Sequence, residues 1–135
     1  MGVPAADLAG RTILVVEDQP LPRDAMVMQL TAAGARVIGC ASAEEMDERL
    51  VAAELGHGPV PDLLLLDLTL PGRGGLDTLR GLRGSARWKE LPVVIVSAED
   101  DGAVIDDALR AGCQGYLNKP VRVQHLITTC RRVVP

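Results

Sequence analysis

Three carboxylates, one hydroxyl and one ammonium stand at or just past the ends of short apolar runs. Glu17 and Asp18 follow VV, Asp67 closes LLLLD, Ser97 closes VVIVS, and Lys119 sits in YLNKP. A turn-rich segment, PGRGG (71–75), follows Asp67 closely. This set contains what is needed to hold a hard divalent cation and to receive a phosphoryl group. Magnesium takes oxygen ligands at about 2.0 to 2.1 Å and keeps several waters, so two carboxylates and a carbonyl suffice from the protein.

Each group has a distinct expected task. Asp18 and Asp67 are expected to ligate Mg2+ directly. Glu17 is adjacent to Asp18 and points to the other face if the strand continues, so it is expected to act through water. Clustered carboxylates repel one another, and a bound cation relieves that repulsion. Asp67 is the expected nucleophile, because it is central in the order of runs and is followed by a turn that leaves it accessible; carboxylates are established covalent acceptors of phosphate. Lys119 supplies a point charge and Ser97 a hydroxyl donor for the phosphoryl oxygens.

These residues need elements that bring them together. TILVVED (12–18), ARVIGC (35–40), DLLLLD (62–67), PVVIVS (92–97) and GYLN (115–118) have strand length and are nearly unbroken by polar residues, the mark of strands buried on both faces. Between them lie stripes at helical spacing: Met26, Val27, Leu30 and Ala33; Met46, Leu50 and Ala53; Leu76, Leu79 and Leu82; Val104, Ile105, Ala108 and Leu109. Leu126, Ile127, Cys130 and Val133 form a fifth. Ser42 with Glu45 predicts a capping box, and Gly34 and Gly112 predict left-handed closures of the first and fourth helices. Asp100 and Asp101 complement the dipole at the start of the fourth helix. Five strands alternating with five helices predict an α/β fold with an open, doubly wound parallel sheet. In such sheets ligands bind outside the carboxyl ends of the strands, where all five groups fall.

Composition narrows the function classes. The chain has 135 residues, enough for one core and no second module, and 47% of them are hydrophobic. Phe is absent, so the core is aliphatic. A net charge of −4, without a basic block, argues against direct nucleic-acid binding. No run approaches a membrane span and the start lacks the order of a signal peptide, so a cytoplasmic location is expected. Cys40, Cys113 and Cys130 fit neither a disulfide framework nor a zinc site and are expected to be buried thiols. His57 and His125 lack ligand spacing and are expected at the surface. Trp88 is expected to cover the approach to the fourth strand.

VVED, DLTLPGRGG, VSA and NKP resemble, in order and spacing, the four signature segments of the receiver domain of two-component response regulators. The resemblance covers about residues 12 to 133, leaving 1–11 as an N-terminal lead-in. It implies a flavodoxin-like (βα)5 fold with strand order 2-1-3-4-5. It implies that Asp67 takes phosphate from a histidine kinase or a histidine phosphotransfer protein. Glu17 and Asp18 match the acidic pair, and the backbone carbonyl of Thr69 completes the magnesium site with Asp67. Ser97 matches the switch hydroxyl, Tyr116 the switch aromatic and Lys119 the family lysine, with a cis peptide between Lys119 and Pro120. The surface of the fourth helix, fifth strand and fifth helix, within residues 99 to 133, is then the face for a downstream protein partner or a dimer.

The chain is thus expected to be a signalling domain that catalyses its own phosphorylation and dephosphorylation. One alternative is a pseudo-receiver that serves only as an interaction module, which would ordinarily show a missing acid or lysine. Another is an aspartyl-phosphate hydrolase resembling the haloacid dehalogenase phosphatases. That family has a second Asp two residues beyond the nucleophile, where this chain has Thr69.

Overall fold

The structure, a computed structural model, describes residues 7–135. Five strands alternate with five helices: β1 (Thr12–Val16), α1 (Pro20–Ala32), β2 (Arg36–Cys40), α2 (Ala43–Glu54), β3 (Leu63–Leu66), α3 (Gly75–Arg83), β4 (Val93–Ser97), α4 (Gly102–Arg110), β5 (Gly115–Asn118) and α5 (Val123–Val133). The strands form one parallel sheet in the order β2-β1-β3-β4-β5. This is the flavodoxin-like order that the sequence motifs imply.

The period of two along each strand sorts side chains between two cores. Leu14, Val16, Leu64, Leu66, Val93 and Ile95 join residues of α2 and α3 on one face. Ile13, Val15, Leu63, Leu65, Val94 and Val96 join residues of α1 and α5 on the other. Full burial of each such side chain contributes roughly 1.5–3 kcal/mol, which is why these runs tolerate no polar residue. The expectation of two-sided burial holds for β1, β3 and β4 and weakens in β2 and β5, which lie at the sheet's edges and are partly open.

Local signals set the ends of the helices. Ser42 accepts a hydrogen bond from the Glu45 amide at 3.1 Å, and the Glu45 carboxylate accepts from the Ala41 amide at 2.9 Å. The return arm of the capping box therefore reaches one residue further back than the standard form. Gly34 and Gly112 have φ of 100° and 101° and close α1 and α4. The amides of Gly34 and Ala35 reach Thr31 and Leu30, the paired bonds of a Schellman motif.

Two expectations need adjustment. The fourth stripe predicts four core residues, yet Ala108 is α4's single buried one, and Leu109 is exposed. The helix packs beside α3 and reaches the core that α2 and α3 share through Ala108. The lead-in, in turn, contributes more than a tail: Leu8 is fully buried, its amide donates to the Ala33 carbonyl, and the Arg11 carbonyl just ahead of β1 accepts from the Arg36 amide at the start of β2. The part of the lead-in at residues 1–6 lies outside the described residues. Trp88 is buried just before β4 and donates to Glu54 at 2.6 Å, tying that connection to α2.

Candidate functional site

The sheet's hydrogen-bond ladder runs one residue past the strands and fixes the backbone of the candidate site. Glu17 donates its amide to Cys40 at 2.9 Å, Asp67 to Val16 at 3.1 Å and Lys119 to Ser97 at 2.9 Å. Strand order therefore brings together side chains that lie up to 102 residues apart in sequence. Within the β1 to α1 turn, Arg23 donates to the carbonyls of Glu17 and Asp18 at 3.0 and 3.3 Å, bracing the segment that carries both acids.

At the centre, the Lys119 ammonium bonds both Glu17 and Asp67, the latter at 2.8 Å. The other Asp67 oxygen accepts from the amide and the hydroxyl of Thr69, each at 2.9 Å. Thr69 thus offers more than the carbonyl expected of it, because the chain turns back on itself two residues after Asp67 as an Asx turn does. Burial alone would raise the Asp67 carboxyl, but the bonds from Lys119 and Thr69 outweigh it and hold the group below the ordinary carboxylate value. Glu17 is fully buried, and burial pushes its carboxyl up, only partly offset by Lys119 and the Gln19 amide. For Lys119, burial favours the neutral form, yet its two carboxylate partners raise its pKa.

Oxygens of Glu17, Asp18 and Asp67 lie within 4.8 Å of one another. Three hard carboxylate donors with a single ammonium leave net negative charge at the site, which fits a small divalent cation. Asp18 is the partly exposed member and faces the approach from solvent.

Ser97 is fully buried and its oxygen accepts from the Glu99 amide at 3.2 Å. Tyr116 donates to the Glu99 carbonyl at 3.3 Å, so Ser97 and Tyr116 grip the same residue of the β4 to α4 connection. Burial pushes the Tyr116 phenol up, and the nearby Ser97 hydroxyl opposes it. Asp101 caps α4, accepting from Ala103 at 2.9 Å. The Lys119–Pro120 peptide is cis.

The cysteines and histidines stay outside this site. Burial pushes the Cys40 and Cys130 thiols up to about 11 and about 12, so neither is a thiolate at neutral pH, and Cys113 is half-buried. His57 and His125 are exposed.

Two supporting residues were not legible as such. Arg73 donates to the Ala43 carbonyl at 3.2 Å and pairs with Asp47 at 2.8 Å, lashing the loop after Asp67 to α2. Gly75 opens α3 where a Cβ would stand 2.2 Å from the Asp67 carbonyl oxygen and 2.6 Å from the Leu68 Cα. Only glycine lets α3 start this close to the Asp67 backbone. Gly75→Ala is expected to cost about 1–3 kcal/mol, as overpacking against a rigid backbone does; urea unfolding within a few tenths of the native value would contradict this.

Comparison with known proteins agrees with this fold. Residues 13–131 match the family model described as response regulator receiver domain. The chain is 34% identical over 122 residues to the transcriptional regulatory protein KdpE of Mycobacterium tuberculosis, a match that takes in 90% of this chain and 50% of KdpE. It is 37% identical over 91 residues to the chemotaxis protein CheY of Pseudomonas aeruginosa, covering 67% of this chain and 73% of that one. The chain spans about half the length of KdpE and of AfsQ1 from Streptomyces coelicolor. Among solved structures, a response regulator receiver protein from Pseudomonas putida superposes with a TM-score of 0.80 at 28% identity, covering 92% of this chain and 98% of that one. CheY4 of Vibrio cholerae, at 23% identity, shares the fold with a TM-score of 0.81 over 93% of this chain and all of its own. The chain belongs to the response regulator receiver domain family of two-component signalling.

Proposed function

We propose that residues 12–133 form a phosphoacceptor unit in which Asp67 takes a phosphoryl group from a histidine kinase or a histidine phosphotransfer protein. One observation carries this reading: a buried aspartate at the end of a central strand is held by an ammonium at 2.8 Å, with two further acids clustered beside it. An Asp67 oxygen attacks the phosphorus, the new O–P bond forms as the donor's P–N bond breaks, and the imidazole leaves with the bonding pair. Lys119 neutralises charge on the phosphoryl oxygens, and Thr69 keeps the acceptor carboxylate oriented.

Asp18, Asp67 and the Thr69 carbonyl would hold Mg2+, with Glu17 acting through water. The cation, when bound, supplies positive charge to the phosphoryl oxygens. No step requires a separate substrate product, so the activity is self-modification by a signalling domain. The hydrolase alternative loses support because Thr69, standing where a general acid would be needed, spends its hydroxyl on Asp67.

Ser97 and Tyr116 form the switch. Recruitment of the Ser97 hydroxyl by the phosphoryl group alters its bond with Glu99, and Tyr116 follows because it holds the same residue. The face made by α4, β5 and α5 then changes shape for a downstream protein partner or a dimer, a population shift between two packings. The light packing of α4, with Ala108 alone buried, supports mobility of that face. Among the described residues no helix is long and apolar enough to cross a membrane.

Incubation with magnesium and acetyl phosphate tests the reading. The intact mass is expected to rise by one phosphoryl group, the gain is lost when magnesium is chelated, and borohydride trapping places it on Asp67. Absence of any gain, from acetyl phosphate and from a phosphohistidine protein donor alike, would return the chain to the interaction-module reading.

A further inference from the structure

The groove between α2 and α3 lies outside the phosphoacceptor site and outside the α4, β5 and α5 face. Its volume is about 390 Å³. Met46, Leu50, Leu82 and Trp88 form its floor, while Asp47, Glu54 and Asp77 stand on its walls. Val51, between the two α2 acids, is 50% exposed. Opposite it on α3 is Gly81, where an added Cβ would meet nothing within 4 Å. Glycine inside a helix is unfavourable relative to alanine, and here no packing within the chain requires it. Its bareness leaves the middle of the groove wide.

The groove's lining is net acidic, with Asp47, Glu54 and Asp77 against Arg73, and α2 as a whole is strongly so. Helix α2 carries Glu44, Glu45, Asp47, Glu48 and Glu54 against Arg49 alone, a net charge of −4. That equals the net charge of the whole chain, so the remainder of the molecule balances to zero. Arg73 is the one cation lining the groove and is paired with Asp47; at the edges Arg80 lies 3.9 Å from Asp77 and Arg87 stands over the Trp88 ring, while Glu54 keeps one carboxylate oxygen beyond its bond with Trp88.

We propose that this groove docks a cationic amphipathic helix of another protein. Asp47 and Glu54 are seven residues apart on α2, roughly 10 Å along its axis at 1.5 Å per residue. The fitting helix has an apolar side chain seated between Val51 and Gly81, and lysine or arginine about one turn before and after it. A partner cation at Asp47 competes with Arg73, which belongs to the loop following Asp67. The proposal does not depend on phosphorylation of Asp67, since every group it uses lies on α2, α3 or their flanks.

The probe is a synthetic leucine and alanine helix with two lysines seven positions apart on its apolar edge, titrated into the full chain and followed by amide shifts. The expected result is a set of shifts centred on Val51, Leu55 and Gly81, weakened by salt, with an otherwise identical glutamate peptide failing to bind. Neutralising Glu54 and Asp77 together, as E54Q with D77N, is expected to weaken binding about three- to tenfold. Gly81→Met sends a long apolar side chain into the groove from a position where the added Cβ meets nothing within 4 Å. It is expected to weaken binding about tenfold or more while the melting midpoint holds or rises. Unchanged binding in G81M, equal binding of the glutamate peptide, or shifts confined to α1 or to α4 and α5 would overturn the proposal. Salt-sensitive self-association that G81M abolishes would also overturn it, by making a second copy the occupant.

Discussion

Lys119→Met is expected to destabilise the fold by about 3 kcal/mol at neutral pH in the presence of a chelator, because it strands two buried carboxylates that share one cation. Methionine keeps the length of the side chain and removes the charge, so the loss reports on electrostatics more than on packing. The sign of the pH dependence follows from the groups left behind. Without the ammonium, Glu17 and Asp67 are pushed above their unfolded values by burial and mutual repulsion. Groups raised in this way favour the fold below the unfolded pKa and withdraw that support as pH rises through the folded one. The gap between variant and native protein should therefore narrow as pH falls towards 4. In the native chain the raised pKa of Lys119 places the loss of its own contribution at alkaline pH, above its ordinary value of 10.5.

Magnesium gives the variant a second source of positive charge, so its addition should recover part of the lost stability. The same substitution should leave any phosphoryl group on Asp67 without its ammonium partner, uncoupling modification from the change at Tyr116. Urea unfolding of both proteins with and without magnesium is the measurement. A difference below about 0.5 kcal/mol in chelator would mean that Lys119 does not compensate the buried acids.

The sequence made the strands legible because burial on both sides of a parallel sheet forbids polar residues, and four of the five runs end where a carboxylate, hydroxyl or amide appears. It made the convergence of Glu17, Asp18, Asp67, Ser97 and Lys119 legible through the same logic, since all follow carboxyl ends of strands in one sheet. What it did not carry was the pairing among them. The bond between Lys119 and Glu17 spans 102 residues and depends on β1 and β3 being neighbours with β5 two strands further on. Nor could alternation along a strand show that Glu17 would be fully buried against that lysine.

Close approaches were also hidden. Gly75 is one glycine of PGRGG in the sequence, yet it alone must clear the Asp67 carbonyl. The stripe of α4 over-promised because helical periodicity reports which residues could face a core and not how much core lies beneath them. Leu8 escapes notice for the opposite reason: a short lead-in of mostly small and apolar residues has no period to single it out, although it is fully buried.

Glu17→Gln is expected to move stability and metal affinity in opposite directions. Glutamine preserves the shape but only one of the two oxygens that accept from Lys119 and the Gln19 amide, so with the oxygen turned to Lys119 the Gln19 bond is lost while one buried charge goes. Burial raises the Glu17 carboxyl above its ordinary value of 4.5, with the nearby Asp67 charge adding to the effect. A carboxyl raised by folding supports the fold below its unfolded pKa and penalises it once ionised. The variant should therefore be more stable than the native chain at neutral pH in chelator, by roughly 0.5–2 kcal/mol, as expected when a charge kept for function is removed. That advantage should shrink as pH falls through the raised value and disappear below about 4.5. Lys119, left with Asp67 as its one anionic partner, balances it charge for charge, so the site's surplus of negative charge is halved and rests on Asp18 alone. Magnesium affinity should fall about ten- to a hundredfold, the range seen when an acid acting through water or behind a ligand is lost. The two readouts separate causes: a variant that is less stable at neutral pH has lost more in packing and in the Gln19 bond than the buried charge cost, whereas one that is more stable yet binds magnesium as tightly as the native chain places the cation away from Glu17.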